Sequence, residues 1–150
     1  MSLTGLGADI VKLLPPEAAH TATIKALKLR LGVPLNPPLA NPALEVVLPK
    51  SGLKLPSPVG LAAGFDKNCD VPDAMAKFGF GFVECGTVTP RPQPGNPKPR
   101  LFRLSEDRAV INRMGFNNAG LDYFVRNLKT YRGEVPVGAN VGANKDSEDR

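Results

Sequence analysis

The sequence predicts an α/β fold in which short apolar strands alternate with helices around a parallel sheet. Two observations carry this. After about residue 58 the hydrophobic period switches back and forth: a buried strand at 58–63, a helix opening near Pro72, "GFVECGTVT", a helix face of Leu121, Phe124, Val125 and Leu128, and "VPVGANVGAN". That order is the order of βα units, because parallel neighbours need a crossover. The strand candidates also end alike, with "AAGFDK", "CGTVTP" and "GANVGANK" placing small or hydrogen-bonding residues at each C-terminal end. That edge is where α/β barrels and open α/β sheets build their sites. A chain of 150 residues that is 42% hydrophobic can bury one core.

Taken in order, residues 1–32 carry two helical signals, Leu6, Ile10, Leu13 and Leu14, then His20, Ile24, Leu27 and Leu31, separated by Pro15 and by Pro16 at a first-turn position. They form a two-helix N-terminal extension. Residues 33–44, with Pro34, Pro37, Pro38 and Pro42, are an extended linker. Residues 45–150 open with a strand, a turn near Lys50 to Gly52 and a short second strand before the first βα unit. The first crossover helix is expected to have Asp70 as its cap, Pro72 in its first turn, Val71, Met75 and Phe78 on its apolar face and Gly79 as its stop. A long loop, "PRPQPGNPKPR", leads through "LFRL" and "AVINRMGFNN" to the second crossover helix, with Asp122 early, Lys129 and Arg132 late and Gly133 as its stop. Only three βα strands can be counted, so the chain is expected to be the front part of a longer fold.

Composition narrows the function. The net charge of +5 favours phosphate, carboxylate or an acidic lipid surface as partner. The basic residues are scattered through proline-rich loops without a recognition-helix stripe or aromatic platform, which argues against nucleic acid. Two cysteines, Cys69 and Cys85, and one histidine, His20, support neither a metal site nor a disulfide framework. No run of eighteen apolar residues exists to span a bilayer, and no presequence pattern opens the chain.

Two stretches carry chemistry. In "AAGFDK", Ala62, Ala63 and Gly64 remove side-chain bulk just before Asp66 and Lys67. A planar ring can approach such a backbone closely, with Lys67 offering an ammonium to an anionic ring position or a carboxylate; a tight βα turn with a surface lysine is the equal alternative. In "NRMGFNN", Asn112, Asn117 and Asn118 bring together amides able to pair with a ring of alternating carbonyl and N–H groups, while at least one of them serves as a cap or turn former. Thr87 and Asn140, at the ends of strands two and three, could hold the polar edge of a cofactor. Arg91, Arg100 and Arg103 are expected to be solvated loop residues, and His20 a structural or tunnel-wall residue. Neither cysteine has a histidine beside it to make it a nucleophile.

The ordered set "PEAAH", "GLAAGFDKN", "GFGFVECGTVTPRPQPGNPKPRLFRL", "INRMGFNNAG" and "GANKD" resembles the quinone-dependent (class 2) dihydroorotate dehydrogenases. The resemblance implies a (β/α)8 TIM barrel with FMN at its C-terminal rim, here represented by about its first three βα units. It makes residues 1–32 a membrane-associating extension that forms the quinone channel, and residues 45–150 the first part of the FMN-binding barrel. It implies FMN contacts at Ala63, Gly64, Phe65, Asp66, Lys67, Thr87 and Asn140. It also implies a dihydroorotate site of Lys67, Asn112, Arg113, Met114, Gly115 and Phe116.

By the same resemblance, dihydroorotate is oxidised to orotate in pyrimidine biosynthesis with electrons passed through FMN to a membrane quinone, on the cytoplasmic side of the cell inner membrane and with peripheral association. The serine base falls beyond Arg150, so no catalytic residue is expected in this chain, and the 150 residues alone are not expected to turn over dihydroorotate. A non-catalytic membrane-surface or assembly module is the alternative from another class. An enzyme using fumarate or NAD as acceptor is a third, disfavoured by the helical extension.

Overall fold

A computed structural model describes residues 11–36, 38 and 41–148. Leu6 and Ile10 of the first expected helix, and Pro37, Leu39 and Ala40 of the linker, lie outside the described residues; Val11 and Lys12 are helical. Helix α1, Pro16–Lys28, begins with proline in its first turn and buries Ala19 and Leu27. Its apolar stripe ends sooner than expected. The chain turns at Leu29 to Gly32 with Arg30 at φ 59°, which leaves Leu31 60% exposed.

Strands β1, Val46–Val47, and β2, Lys54–Leu55, form the expected small antiparallel hairpin. The strand expected at 58–63 is reduced to a parallel bridge between Leu61 and Val83. Its ladder is nonetheless present: Gly81 N–H donates to Val59 O at 2.8 Å, Leu61 N–H to Phe82 O at 3.0 Å and Glu84 N–H to Leu61 O at 2.8 Å. Val59 N–H turns to Ser57 Oγ at 3.2 Å instead of the neighbouring segment, so pairing goes no further back. Beyond Leu61, Gly64 N–H donates to Gly86 O at 2.8 Å and Gly86 N–H to Asp66 O at 2.9 Å, out of the register set by Leu61 and Val83.

The partner is β3, Val83–Val88, which pairs on its other side in parallel with β6, Val137–Val141. The three parallel segments thus lie in chain order, as successive right-handed crossovers produce. The β3–β6 register runs Val83↔Val137 to Cys85↔Ala139 and is interrupted before Val88↔Val141. Gly86 sits in that irregularity at φ 122°, where a Cβ would lie 2.3 Å from Asn140 O, so no other residue fits.

Two expectations need correction. Helix α2, Pro72–Ala76, takes no side-chain cap from Asp70; the two N–H groups just before it are held instead by Asp66, which accepts from Asp70 N–H and Val71 N–H at 2.7 Å each. Because α2 is only this long, Phe78 lies past its end and is 38% exposed. The long loop before the second crossover helix also contains an antiparallel hairpin of β4, Leu101–Leu104, and β5, Ala109–Asn112, paired Leu101↔Asn112 to Leu104↔Ala109. Helix α3, Leu121–Leu128, buries Phe124 but leaves Leu121 and Val125 partly exposed, and ends before Lys129.

One face of β3 makes the core. Val83, Cys85 and Val88 pack with Leu27 of α1, Val71, Ala74 and Met75 around α2, Cys69 and Phe124 of α3. The opposite face carries Glu84 and Thr87 toward the strand ends.

Candidate functional site

After Leu61 the chain turns through Ala62, Ala63 and Gly64. Gly64 is at φ 107°, and a Cβ built there would meet nothing within 4 Å among the described residues. The space in front of this turn is open. Behind it, Phe65 O accepts from His20 Nε2 at 2.6 Å, and the two rings meet edge to face at 5.5 Å. Burial pushes the His20 imidazole below its ordinary pKa, against the opposing pull of that hydrogen bond.

Asp66 points inward. It is 1% exposed, and its carboxylate is occupied by the two N–H groups before α2. Burial raises its pKa while those N–H donors oppose the shift. The Cys85 thiol also approaches it at 3.8 Å, and the neighbouring Cys69 thiol, with burial, pushes the Cys85 thiol up, so it stays protonated. Asp66 therefore shapes the turn through its side chain and supports β3 through its carbonyl.

Lys67 stands at the open side. Its Nζ donates to Gly64 O at 2.7 Å, which uses one of three ammonium donors. Burial lowers its pKa below that of a free lysine. One register step across the sheet, Thr87 Oγ1 donates to Asn140 Oδ1 at 2.6 Å, and Asn140 Nδ2 donates to Glu84 Oε1 at 2.8 Å. Thr87 and Asn140, singled out separately in the sequence, are thus one hydrogen-bonded pair beside the turn.

The 112–118 loop divides its work. Asn112 Oδ1 accepts Met114 N–H at 3.0 Å, closing a local turn. Asn118, 9% exposed, accepts Thr89 N–H and Gly120 N–H and donates to Thr89 Oγ1 and Phe116 O, so it is the structural member of the trio. Asn117 Oδ1 is buried with no hydrogen-bond partner among the described residues. Such an atom costs free energy unless something donates to it. A cavity of about 260 Å³ brings Lys67, Met114 and Asn117 together with His20, Phe65 and Asp66. Asn112, Arg113 and Phe116 do not line it; Arg113 lies over the Phe102 ring at 5.7 Å, and Phe116 is 55% exposed. A larger cleft of about 970 Å³, bordered by α2 and the end of α3, includes none of Lys67, Thr87 or residues 112–117.

One of the three arginines expected in solvent is not there. Arg100 is 6% exposed and its guanidinium grips the Glu17 carboxylate of α1 through Nε at 3.2 Å and Nη2 at 2.7 Å. Arg103 Nη1 donates to Lys12 O and Leu14 O at 3.0 and 2.7 Å, the carbonyls where the preceding helical segment ends. Arg103 and Arg91 are both exposed as expected, Arg91 paired with Asp146 on the surface. Glu17 was the missed residue. A carboxylate in the first turn of a helix ordinarily signals nothing beyond the dipole, and its partner lies far along the chain.

Residues 45–150 match the family model described as dihydroorotate dehydrogenase. The chain belongs to the dihydroorotate dehydrogenase family. It is 58% identical over 138 residues to the dihydroorotate dehydrogenase (quinone) of Sinorhizobium medicae, covering 92% of this chain and 37% of that protein. To the protein of the same name from Novosphingobium aromaticivorans it is 58% identical over 143 residues, covering 91% of this chain and 40% of the relative. The chain thus spans about two fifths of the length of these relatives. Among solved structures, the dihydroorotate dehydrogenase of Eimeria tenella in complex with ferulenol aligns with a TM-score of 0.79 and 45% identity over 90% of this chain and 38% of its own. Its ligand-free form gives 0.80 and 44%, over 90% of this chain and 39% of its own. The fold is therefore that of the dihydroorotate dehydrogenases, in the TIM-barrel family.

Proposed function

We propose that this chain forms the N-terminal sector of a quinone-linked enzyme that oxidises dihydroorotate to orotate in pyrimidine biosynthesis, with FMN seated against the Ala62 to Gly64 turn. The observation that carries this is the open face of that turn, where a Cβ on Gly64 would touch nothing, with the Lys67 ammonium 2.7 Å from Gly64 O at its edge. The residues fit a flat, polar-edged ring: Ala63, Gly64 and Phe65 offer backbone at close approach, and the Thr87 and Asn140 pair offers hydroxyl and amide to its edge. A bound FMN would supply the redox chemistry, accepting hydride from the substrate and releasing electrons to a membrane quinone.

The protein's own part is to bind, orient and keep water out. Lys67 meets negative charge on the ring or the substrate carboxylate, and its lowered pKa reflects a partly dry setting in which a charge-assisted hydrogen bond gains strength. The loop of Asn112, Arg113, Met114, Gly115 and Phe116 encloses the substrate. Met114 already reaches the cavity beside Lys67, and Asn117 Oδ1 there lacks a donor among the described residues. We assign residues 1–32 to a membrane-associating quinone-channel extension, 33–44 to a linker and 45–150 to the barrel.

Leu13, Leu29, Leu31 and Leu35, at 85, 72, 60 and 94% exposure, give the region around α1 an apolar surface suited to a bilayer interface. No helix among the described residues is long and apolar enough to cross a membrane, which is compatible with peripheral attachment to the cytoplasmic side of the inner membrane. The test is the visible absorption spectrum of the whole protein without oxygen. Flavin bands that bleach on adding dihydroorotate are expected; a colourless protein, or a yellow one that dihydroorotate leaves unbleached, would overturn the proposal.

A further inference from the structure

We propose that Arg100 is a positioning residue that couples helix α1 to the 112–117 loop, so that seating of the N-terminal extension sets the geometry of the substrate site. This rests on the function proposed above. The guanidinium is forked between two parts of the protein. One side, Nε and Nη2, binds the Glu17 carboxylate of α1 at 3.2 and 2.7 Å. The other, Nη1, donates to Pro94 O at 2.6 Å and Asn96 O at 2.8 Å.

The 94–96 segment is in turn tied to the loop. Asn96 N–H donates to Met114 O at 2.9 Å and Asn96 Nδ2 to Arg113 O at 2.8 Å, while Arg113 N–H returns to Arg100 O at 2.9 Å. A continuous path of hydrogen bonds therefore runs from α1 through one side chain to Arg113 and Met114, and Met114 lines the cavity beside Lys67.

Arg100 is 6% exposed, so its charge depends on Glu17. Lys98 Nζ also approaches Glu17, at 3.2 Å, but with its side chain 70% exposed it adds charge without a fork. A buried cation that loses its carboxylate is driven toward water, and Arg100 can leave only by releasing Pro94 O and Asn96 O. A lysine, being a single point of charge, cannot hold both sides at once.

Glu17→Gln and Arg100→Lys, made in the whole protein that carries this chain, separate coupling from simple tethering. Amide hydrogen exchange is read at Asn96, Arg113 and Met114, and dihydroorotate KM and kcat are measured with a water-soluble electron acceptor. Glu17→Gln alters α1 alone, yet exchange at Asn96 is expected to quicken about tenfold, as loss of one charge-assisted hydrogen bond implies. The KM should rise by a similar factor, about tenfold, while kcat stays within about twofold, because the loop binds substrate and Arg100 touches none. Arg100→Lys should do the same more strongly.

Faster exchange confined to α1, or loop exchange that rises while KM keeps its wild-type value, overturns the proposal. If the wild-type protein does not oxidise dihydroorotate, the assigned reaction fails, while the exchange measurement still decides whether α1 and the loop are coupled.

Discussion

Gly64 holds a backbone conformation, φ 107°, that side-chain-bearing residues rarely adopt, and the space its Cβ would take is open. Gly64→Val would place methyl groups in the proposed ring seat and strain the turn by about 1–3 kcal/mol. Flavin affinity is expected to fall at least about tenfold, read by fluorescence titration of the stripped protein with FMN, whereas wild-type affinity would remove the seat from this turn. Lys67 serves a different purpose. Replacing it with methionine keeps the stem and removes the charge, and losing a hydrogen bond to a charged group is worth about 1.5–3 kcal/mol. Dihydroorotate KM or orotate Kd should therefore rise by about ten- to a hundredfold, measured by steady-state kinetics and orotate titration. Asp66 is not expected to act through its side chain on either ligand, because both carboxylate oxygens already accept backbone N–H groups.

Helix α1 is fastened at three levels: Glu17 to Arg100 near its start, His20 Nε2 to Phe65 O in its second turn, and Lys28 Nζ to Asp70 Oδ1 at 2.6 Å at its end. The two ion pairs bound its docking in pH. Arg100 beside Glu17 lowers the carboxyl pKa below the ordinary 4.5. Between the folded value and 4.5 the unfolded chain binds more protons, so this contribution is complete above 4.5 and is lost as pH falls through the folded value. Asp70 raises the Lys28 pKa above 10.5, so that contribution is complete below 10.5 and is lost as pH rises through the folded value. Exchange protection of α1 amides should form a plateau between these limits, its acid side vanishing in Glu17→Gln; a profile that stays flat below 4.5 would show that the Arg100 pair does not hold the helix.

Across the whole molecule, the core lies on one side of the sheet, between β3 and helices α1, α2 and α3. Phe124 is 2% exposed within it, and Phe124→Ala should cost about 3–5 kcal/mol, read as a lower denaturant midpoint with unchanged slope. The sheet's far edge is different. β6 pairs only with β3 among the described residues, and Val141 at its end is 73% exposed. An open strand edge with an apolar side chain invites pairing. The 150-residue chain by itself is expected to self-associate with rising concentration in sedimentation, and Val141→Lys to reduce it.

Much of this was legible in the sequence for a local reason. Periodicity marks Leu27, Met75 and Phe124 as buried because each helix must turn one stripe inward, and the vanishing bulk of Ala62, Ala63 and Gly64 marks a turn approachable by a flat group because Cβ atoms are what obstruct approach. The ordered motifs also carry the family, since each is a run of neighbours. Tertiary structure decided which of several possible partners each group takes. Asp66, not Asp70, holds the N–H groups just before α2; the β4–β5 hairpin rises from what reads as loop; and Arg100 is buried against Glu17, 83 positions away. The physical reason is that a hydrogen bond or ion pair is specified by where two groups meet in space: near in sequence, Asp66 and Asp70 offer equivalent carboxylates and only the backbone path selects one, and for Arg100 nothing in its neighbourhood encodes Glu17.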